Sequence, residues 1–418
     1  MSQNVIEKDP LSLADMDVSL PDLWADRSVM DLFKKLREED PVHFCADSQF
    51  GPYWSVTRYK DIVTVDTNHQ IFSSKAELGG IFIDDAVVRP PAEGADFTNF
   101  ISQDQPEHGP IRRAVQPIAA PDSLASFKAL IEQRTSDVLD SLPEGEVIDW
   151  VERVSVELTT QMLATIFHFP FEDRKKLTRW SDVATAVEGA DHFPGHEQRV
   201  EELLECLAYF TRLRHERVAE PKKFDLISMM AHTDATKDMD DMHFLGNVLL
   251  LIVGGNDTTR NSMSASIKAL NQFPEEFAKL RKNPELVDKM VTEVIRWHTP
   301  LPHMRRTALQ DFELGGKLIK KGDKVVMWYL SGNHDEEMFE NPGEIRFDRE
   351  NANRHLSFGF GIHRCMGLRI AEMQLRILWQ QILKKFEKIE LVEPPTRLNS
   401  IMVNGYTEMN VKVTRLAS

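Results

Sequence analysis

Apolar residues recur at three- and four-residue spacing through most of the middle of the chain, and alternate only in short stretches toward its ends. That periodicity marks amphipathic helices, whereas alternation marks half-buried strands. From about 105 to 300 the pattern is helical. "DWVERVSVELTTQMLATIF" (149–167) and "RVEELLECLAYFTRLRHERV" (199–218) show it most clearly. Residues 42–58 read as two short strands around a Gly-Pro turn. A second strand pair is expected where "FELGGKLI" (312–319) and "KVVMWYL" (324–330) flank "KKGD", and a third hairpin in "LNSIMVNGYTEMNVKVT" (398–414). No repeat or Ser/Gly-rich linker divides the 418 residues. The expectation is a single domain over 1–418, mainly α with a small β portion.

One predicted helix carries an oddity. "LLLIVGGNDTTRNSMSASIKAL" (249–270) is apolar and long, yet has Gly254 and Gly255 at its centre. Each glycine costs roughly 1 kcal/mol against alanine in a helix interior. Thr258 stands four residues after Gly254, so its hydroxyl can take the Gly254 carbonyl and open the helix locally. Such an opening creates space and sets an acid, Asp257, beside an alcohol, Thr258. Two plainer readings compete: a helix N-cap, and the formal glycosylation sequon Asn256-Asp257-Thr258.

Charge and cysteine content narrow the function. With 50 basic and 66 acidic side chains the net charge is −16, which disfavours nucleic-acid binding because phosphate neutralisation needs a positive surface. The N-terminal twenty residues lack a basic segment followed by an apolar core, and "FLGNVLLLIVGG" (244–255) is too short to span a bilayer. Cys45, Cys206 and Cys365 are scattered, so neither a disulfide scaffold nor a multi-Cys zinc site is expected. A reducing cytoplasm fits.

Cys365 has the most distinctive surroundings. It lies in "HLSFGFGIHRCMGLRIAEMQLRIL" (355–378), immediately before a helical pattern. Unpaired N–H groups at a helix start favour an anion, so a lowered thiol pKa is expected there. Gly359, Gly361 and Gly367 permit sharp turns and close approach to a flat object that Phe358 could cover. A buried, inert cysteine in a glycine-rich turn is the commoner outcome of such a stretch taken alone. The spacing Phe358-x-x-Gly361-x-His363-x-Cys365-x-Gly367-x-x-x-Ala371, however, resembles the haem-binding signature of the cytochrome P-450 monooxygenases at every defining position.

That resemblance implies the cytochrome P-450 fold: a triangular prism with haem b between a long distal helix and the proximal Cys loop and helix. It implies Cys365 as the thiolate ligand of the iron, and Asp257 and Thr258 as the acid–alcohol pair that supplies protons for oxygen activation. It also implies His108, Arg112, Arg306 and His363 as partners of the haem propionates, with Arg113 and Arg305 close enough to be confused with them. Glu293 and Arg296, three apart in "TEVIRW", resemble a buried structural pair completed by an arginine before the Cys loop, here Arg349.

"DWVERVSVELTTQMLATIFHFPFEDRKKLTRWSDVATA", "FDLISMMAH" and "LLLIVGGNDTTRNSM" further resemble the soluble bacterial alkane and fatty-acid terminal hydroxylases. The implied activity is insertion of one oxygen atom from dioxygen into a C–H bond of an apolar substrate, most simply the end of a medium-length alkane or fatty acid. Residues 79–91 and 187–198 are the expected entrance loops. Electrons would come from a ferredoxin and its reductase, docking at Arg112, Arg113, Arg364, Arg369 and Arg376 on a monomeric enzyme. The competing readings are a peroxygenase, a hydroxylase of a terpene-like or other bulky substrate, and a haem-based sensor or carrier.

Overall fold

A computed structural model of the chain describes residues 13–84, 98–186 and 195–417. Helices dominate, and the longest runs from Asp241 to Gln272. Its start is fixed by Asp240, whose carboxylate accepts from the N–H groups of Met242 (3.0 Å) and His243 (2.9 Å), leaving two fewer unpaired donors at that end. Pro274, just beyond its C-terminus, cannot extend it and opens the next helix instead. Most of this helix is buried on all sides, the pattern of a central core helix. None of the described helices is long and apolar enough to cross a membrane.

The strands follow in chain order. β1 (Val42–Cys45), β2 (Tyr53–Val56) and β3 (Phe72–Ser73) come early, and β4 (Val147–Asp149) lies among the helices. β5 (Met304–Ala308), β6 (Phe312–Leu314), β7 (Lys317–Ile319) and β8 (Lys324–Met327) follow the helical region. β9 (Phe386–Leu391), β10 (Thr396–Arg397), β11 (Tyr406–Glu408) and β12 (Asn410–Arg415) complete the set.

The largest sheet has the order β1-β2-β8-β5-β3, with β2 and β8 parallel. The antiparallel pairing of β1 with β2 agrees with the alternation in 42–58. Two expected pairings differ. "FELGGKLI" is itself a hairpin, β6 with β7, turning at Gly315 and Gly316, whose φ values of 55° and 75° suit glycine. "KVVM" leaves it to join β2 and β5, because its valines are wholly buried and need cover on both faces. The tail also divides: β11 pairs with β10, whereas β12 pairs with β4 and β9.

Among the described residues, four apolar clusters fill the interior. The long helix serves two of them, contributing Met263 and Ile267 to one and Phe244, Val248 and Ile252 to another. The helix after Cys365 (Leu368–Lys385) does the same through Leu378 and Trp379 on one side and Ile370 and Ile377 on the other. A bond of 2.9 Å from the Trp379 indole N–H to the Ser266 hydroxyl ties these two helices together. The distal and proximal segments are therefore held by one shared core.

Candidate active site

The Cys365 loop is shaped by its own backbone and by one buried acid. The Cys365 N–H donates to the Phe358 carbonyl at 2.7 Å, closing the loop on itself. Gly359 and Gly361 adopt φ of 62° and 66°. A Cβ on Gly361 would stand 2.5 Å from the Asp66 carbonyl, so only glycine fits. The Asp66 carboxylate takes three bonds: from the Phe360 N–H (2.7 Å), the Tyr329 hydroxyl (2.9 Å) and the Arg306 guanidinium (2.7 Å). Asp66 thus anchors the loop, although sequence reasoning passed it over. The available signal was its place beside Val65 on the apolar face of "DIVTVDT", where a buried carboxylate requires partners.

Beyond the loop, the helix beginning at Leu368 has no side-chain cap. The N–H groups of Gly367 and Leu368 instead favour the Cys365 thiolate, as do the charges of Arg112 and Arg364. Burial outweighs them and raises the thiol above its ordinary pKa, contrary to the lowered value expected from the helix start. A helix terminus stabilises an anion only modestly, whereas a coordinated cation deprotonates a thiol outright.

His108 and His363 meet edge to face, with ring centroids 4.4 Å apart. Neither ring nitrogen of either residue has a hydrogen-bond partner, and all four are buried. Desolvation lowers the His108 pKa to about 4, and Arg112 adds to the effect. Desolvation and then Arg306 push His363 down further. Arg112 reaches the same region, donating to the Arg364 carbonyl at 2.5 Å. The structure therefore gathers His108, Arg112 and His363 beside the Cys loop, with Arg306 near His363 but already bonded to Asp66. Arg305 turns away and donates to the carbonyls of Leu78 (3.0 Å) and Gly79 (3.2 Å).

This arrangement fits haem. Two unpartnered neutral histidines and an arginine suit its propionates, since such buried polar atoms are rarely left unpaired. Cys365, at the end of the glycine turns, would be the residue to offer its iron a thiolate.

On the long helix, the Thr258 hydroxyl donates to the Gly254 carbonyl at 2.9 Å, as its spacing predicts. The helix nevertheless remains α-helical from Asp241 to Gln272, so the extra bond adds to the ladder without opening it. Gly254 is solvent-accessible between half-buried neighbours, and a Cβ there would meet nothing within 4 Å. The expected space is therefore present at Gly254 without the expected opening of the helix. Gly255 faces the other way, with Leu163 only 2.9 Å from where its Cβ would stand.

Asp257, one position before Thr258 and so about a quarter-turn round the helix, is buried and pairs with Arg260 at 2.9 Å. Arg260 in turn holds Asp182 at 2.7 Å. Asp257 also accepts from Asn256 (3.2 Å) and Thr185 (3.4 Å). Burial, against the pull of Arg260, lifts its carboxyl pKa to about 6. A cavity of about 480 Å³ opens behind it, lined by Glu152, Thr178, Asp182 and Arg260 among others. Asp257 thus stands between that cavity and the turn bearing Thr258. The roles of Arg260 and Asp182 were not evident in the sequence.

The expected structural cluster is also assembled. Glu293 and Arg296 are fully buried and joined by bonds of 2.7 and 2.8 Å, and Arg349 donates to Glu293 at 2.9 Å. Of the expected entrance loops, residues 85–91 and 187–194 lie outside the described residues.

Comparison with known proteins bears on the family and the fold. The family model for cytochrome P-450 matches residues 42–412. Linalool 8-monooxygenase of Pseudomonas putida is 34% identical over 94% of this chain and 98% of its own. CYP153D17 from Sphingomonas sp. PAMC 26605 superposes with a TM-score of 0.89 at 46% identity, covering 96% of this chain and 99% of that one. Cytochrome P-450-153 from Novosphingobium aromaticivorans gives 0.87 at 41% identity, over 95% and 99%. With its mainly helical architecture, its cysteine loop and a family match over most of its length, the chain belongs to the cytochrome P-450 family of haem-thiolate monooxygenases.

Proposed function

We propose that this monooxygenase hydroxylates the terminal carbon of medium-length linear substrates, alkanes or fatty acids. Cys365 would hold the haem iron, and His108, Arg112, His363 and Arg306 its propionates; the group would supply the chemistry of oxygen activation. The observation that carries the oxygenase reading is the placing of Asp257 and Thr258 on successive positions of one helix. Thr258 borders the open space at Gly254, while Asp257 faces the cavity behind. Thr258 holds and orients a proton donor on the oxygen side, and Asp257 passes protons from the cavity, its carboxyl being suited to exchange near neutrality. A peroxygenase has no need of such a relay.

Support for attack at a chain end comes from the sequence resemblance and from relatives named for the carbon they oxidise. These include steroid C26-monooxygenase of Mycolicibacterium smegmatis and a methyl-branched lipid omega-hydroxylase of Mycobacterium bovis. Terminal C–H bonds are stronger than internal ones, so the pocket must set the regiochemistry by positioning. The similarity to linalool 8-monooxygenase favours a second reading, a terpenoid substrate.

Electrons are proposed to come from a ferredoxin served by its reductase, with the enzyme acting as a cytoplasmic monomer. Arg113, Arg364 and Arg369 are exposed near the Cys loop and offer an acidic carrier a basic face. A substrate-induced spin-state screen across linear alkanes, fatty acids and terpenoids tests the substrate class, followed by product analysis. Saturable shifts with linear chains and mainly terminal alcohols are expected. Shifts with terpenoids alone, or mainly internal alcohols, would reject terminal hydroxylation of linear chains.

A further inference from the structure

We infer a binding site for a small divalent oxyanion, remote from the Cys365 loop, where Arg27, Lys268 and Arg397 converge on Tyr406. Arg27 and Arg397 both donate to the Asn404 side-chain oxygen, Arg27 at 3.3 Å. The Arg397 guanidinium carbon lies 5.3 Å from the Tyr406 ring centre, and the Lys268 ammonium 5.9 Å from it. His298 stacks on the same ring at 5.6 Å with an interplanar angle of 16°. Arg397, Lys268 and His298 thus face one aromatic ring, and Arg27 joins them through Asn404.

Such crowding requires compensation, and the protein supplies little. No carboxylate of the described residues makes an ion pair with Arg27, Lys268 or Arg397. The cations depress one another: burial and then Arg397 lower Lys268 to about 8 and Arg27 to about 10. Charge partly withdrawn from water is ordinarily paired, so half-buried, unpaired cations held together call for an anion.

Two further observations point to a ligand. His298 is 2% exposed, and its Nε2 has no partner; the buried Nε of Arg397 is also unpartnered. Arg27 holds a φ of 71°, a left-handed backbone that a non-glycine residue adopts only at a cost. Two guanidiniums offer planar donor pairs to an oxyanion, and an ammonium adds a point charge. Two guanidiniums and an ammonium together favour a divalent ligand of the phosphate or dicarboxylate type. Arg27, Lys268 and Arg397 are all partly exposed, so a small ion can enter from solvent. Bound there, it would join the N-terminal segment, the long helix and the hairpin whose tip, Ile401–Val403, packs into the core.

The test is calorimetric titration of the haem-loaded enzyme with inorganic phosphate and, separately, malonate, each at constant ionic strength in chloride. One saturable site per chain is expected. Response to both ions identifies divalent charge as the recognised feature, and response to one alone identifies that ion's geometry. Arg397→Gln and Lys268→Met should each weaken binding about tenfold or more, the loss of one charge-assisted contact. Lys268→Arg, which keeps the charge, should retain it. Thermal unfolding gives a second readout, since the anion should raise Tm in the wild type and in Lys268→Arg but not in the other two variants. Absence of saturable binding by both ions, or undiminished binding in both Arg397→Gln and Lys268→Met, would overturn the assignment.

Discussion

Thr258 and Asp257 are neighbours in sequence with opposite surroundings, and their substitutions should separate accordingly. Thr258 bonds only to its own helix and borders open space. Thr258→Ala should leave haem content and substrate affinity nearly unchanged while diverting reducing equivalents from alcohol to hydrogen peroxide, measured as peroxide per NAD(P)H consumed. Unchanged coupling would remove Thr258 from proton delivery. Asp257 is buried in an ionic chain with Arg260 and Asp182. Its raised pKa means the neutral acid is favoured as pH falls below about 6, and the carboxylate, paired with Arg260, as it rises. Turnover limited by proton supply should therefore decline as pH rises through that value. Asp257→Asn should abolish this limb and lower kcat on the order of 100-fold. For folding the sign is the same: a raised carboxyl pKa contributes stability in acid that is lost as pH rises through about 6. Legibility at this scale tracked local spacing. Thr258 to Gly254 is a four-residue relation any helix imposes, whereas Asp66 binds Phe360 and Arg306 across the fold.

Among elements, the long helix shows why two adjacent glycines are not equivalent. A methyl at Gly254 enters open space, so Gly254→Ala should stabilise the protein by up to about 1 kcal/mol through helix propensity. The same methyl narrows the oxygen side and should slow hydroxylation. At Gly255 the methyl meets Leu163 at 2.9 Å. Gly255→Ala should therefore lose about 1–3 kcal/mol to overpacking, offsetting any propensity gain. Thermal unfolding of the two haem-loaded variants checks both signs. The helices themselves were readable because a 3.6-residue apolar period survives any packing partner. Strand pairing was not, because β8 alternates no better toward β7 than toward β2 and β5. Burial of Val325 and Val326 decided its place, and that depends on residues far away in sequence.

Taken whole, the molecule is acidic yet presents Arg113, Arg364 and Arg369 near the Cys loop. Arg376, expected in the same group, is paired with Asp288, and Arg112 is committed to the Arg364 carbonyl. Reversing Arg364 and Arg369 together to glutamate should cut the second-order rate of reduction by an acidic ferredoxin about tenfold at low salt. The deficit should shrink as ionic strength screens the encounter. An unchanged rate at low salt would place docking elsewhere. The basic residues could be listed from sequence, but which remained available for a partner depended on contacts such as Asp288 with Arg376.

The strand order β1-β2-β8-β5-β3 sets a timetable for biosynthesis. β2 must wait for β8, with Trp54 opposite Val325, before its second edge is covered. Until then the β1–β2 hairpin is a marginal two-stranded ribbon with an open edge on the nascent chain. Asp66 waits longer still, since Tyr329 and Phe360 emerge last of its partners. At roughly 5–20 residues per second, that exposure lasts tens of seconds. The Asp66 cradle therefore closes only after Phe360 has been made, and until β8 arrives a high rate of synthesis favours edge-to-edge aggregation of the waiting β1–β2 hairpins.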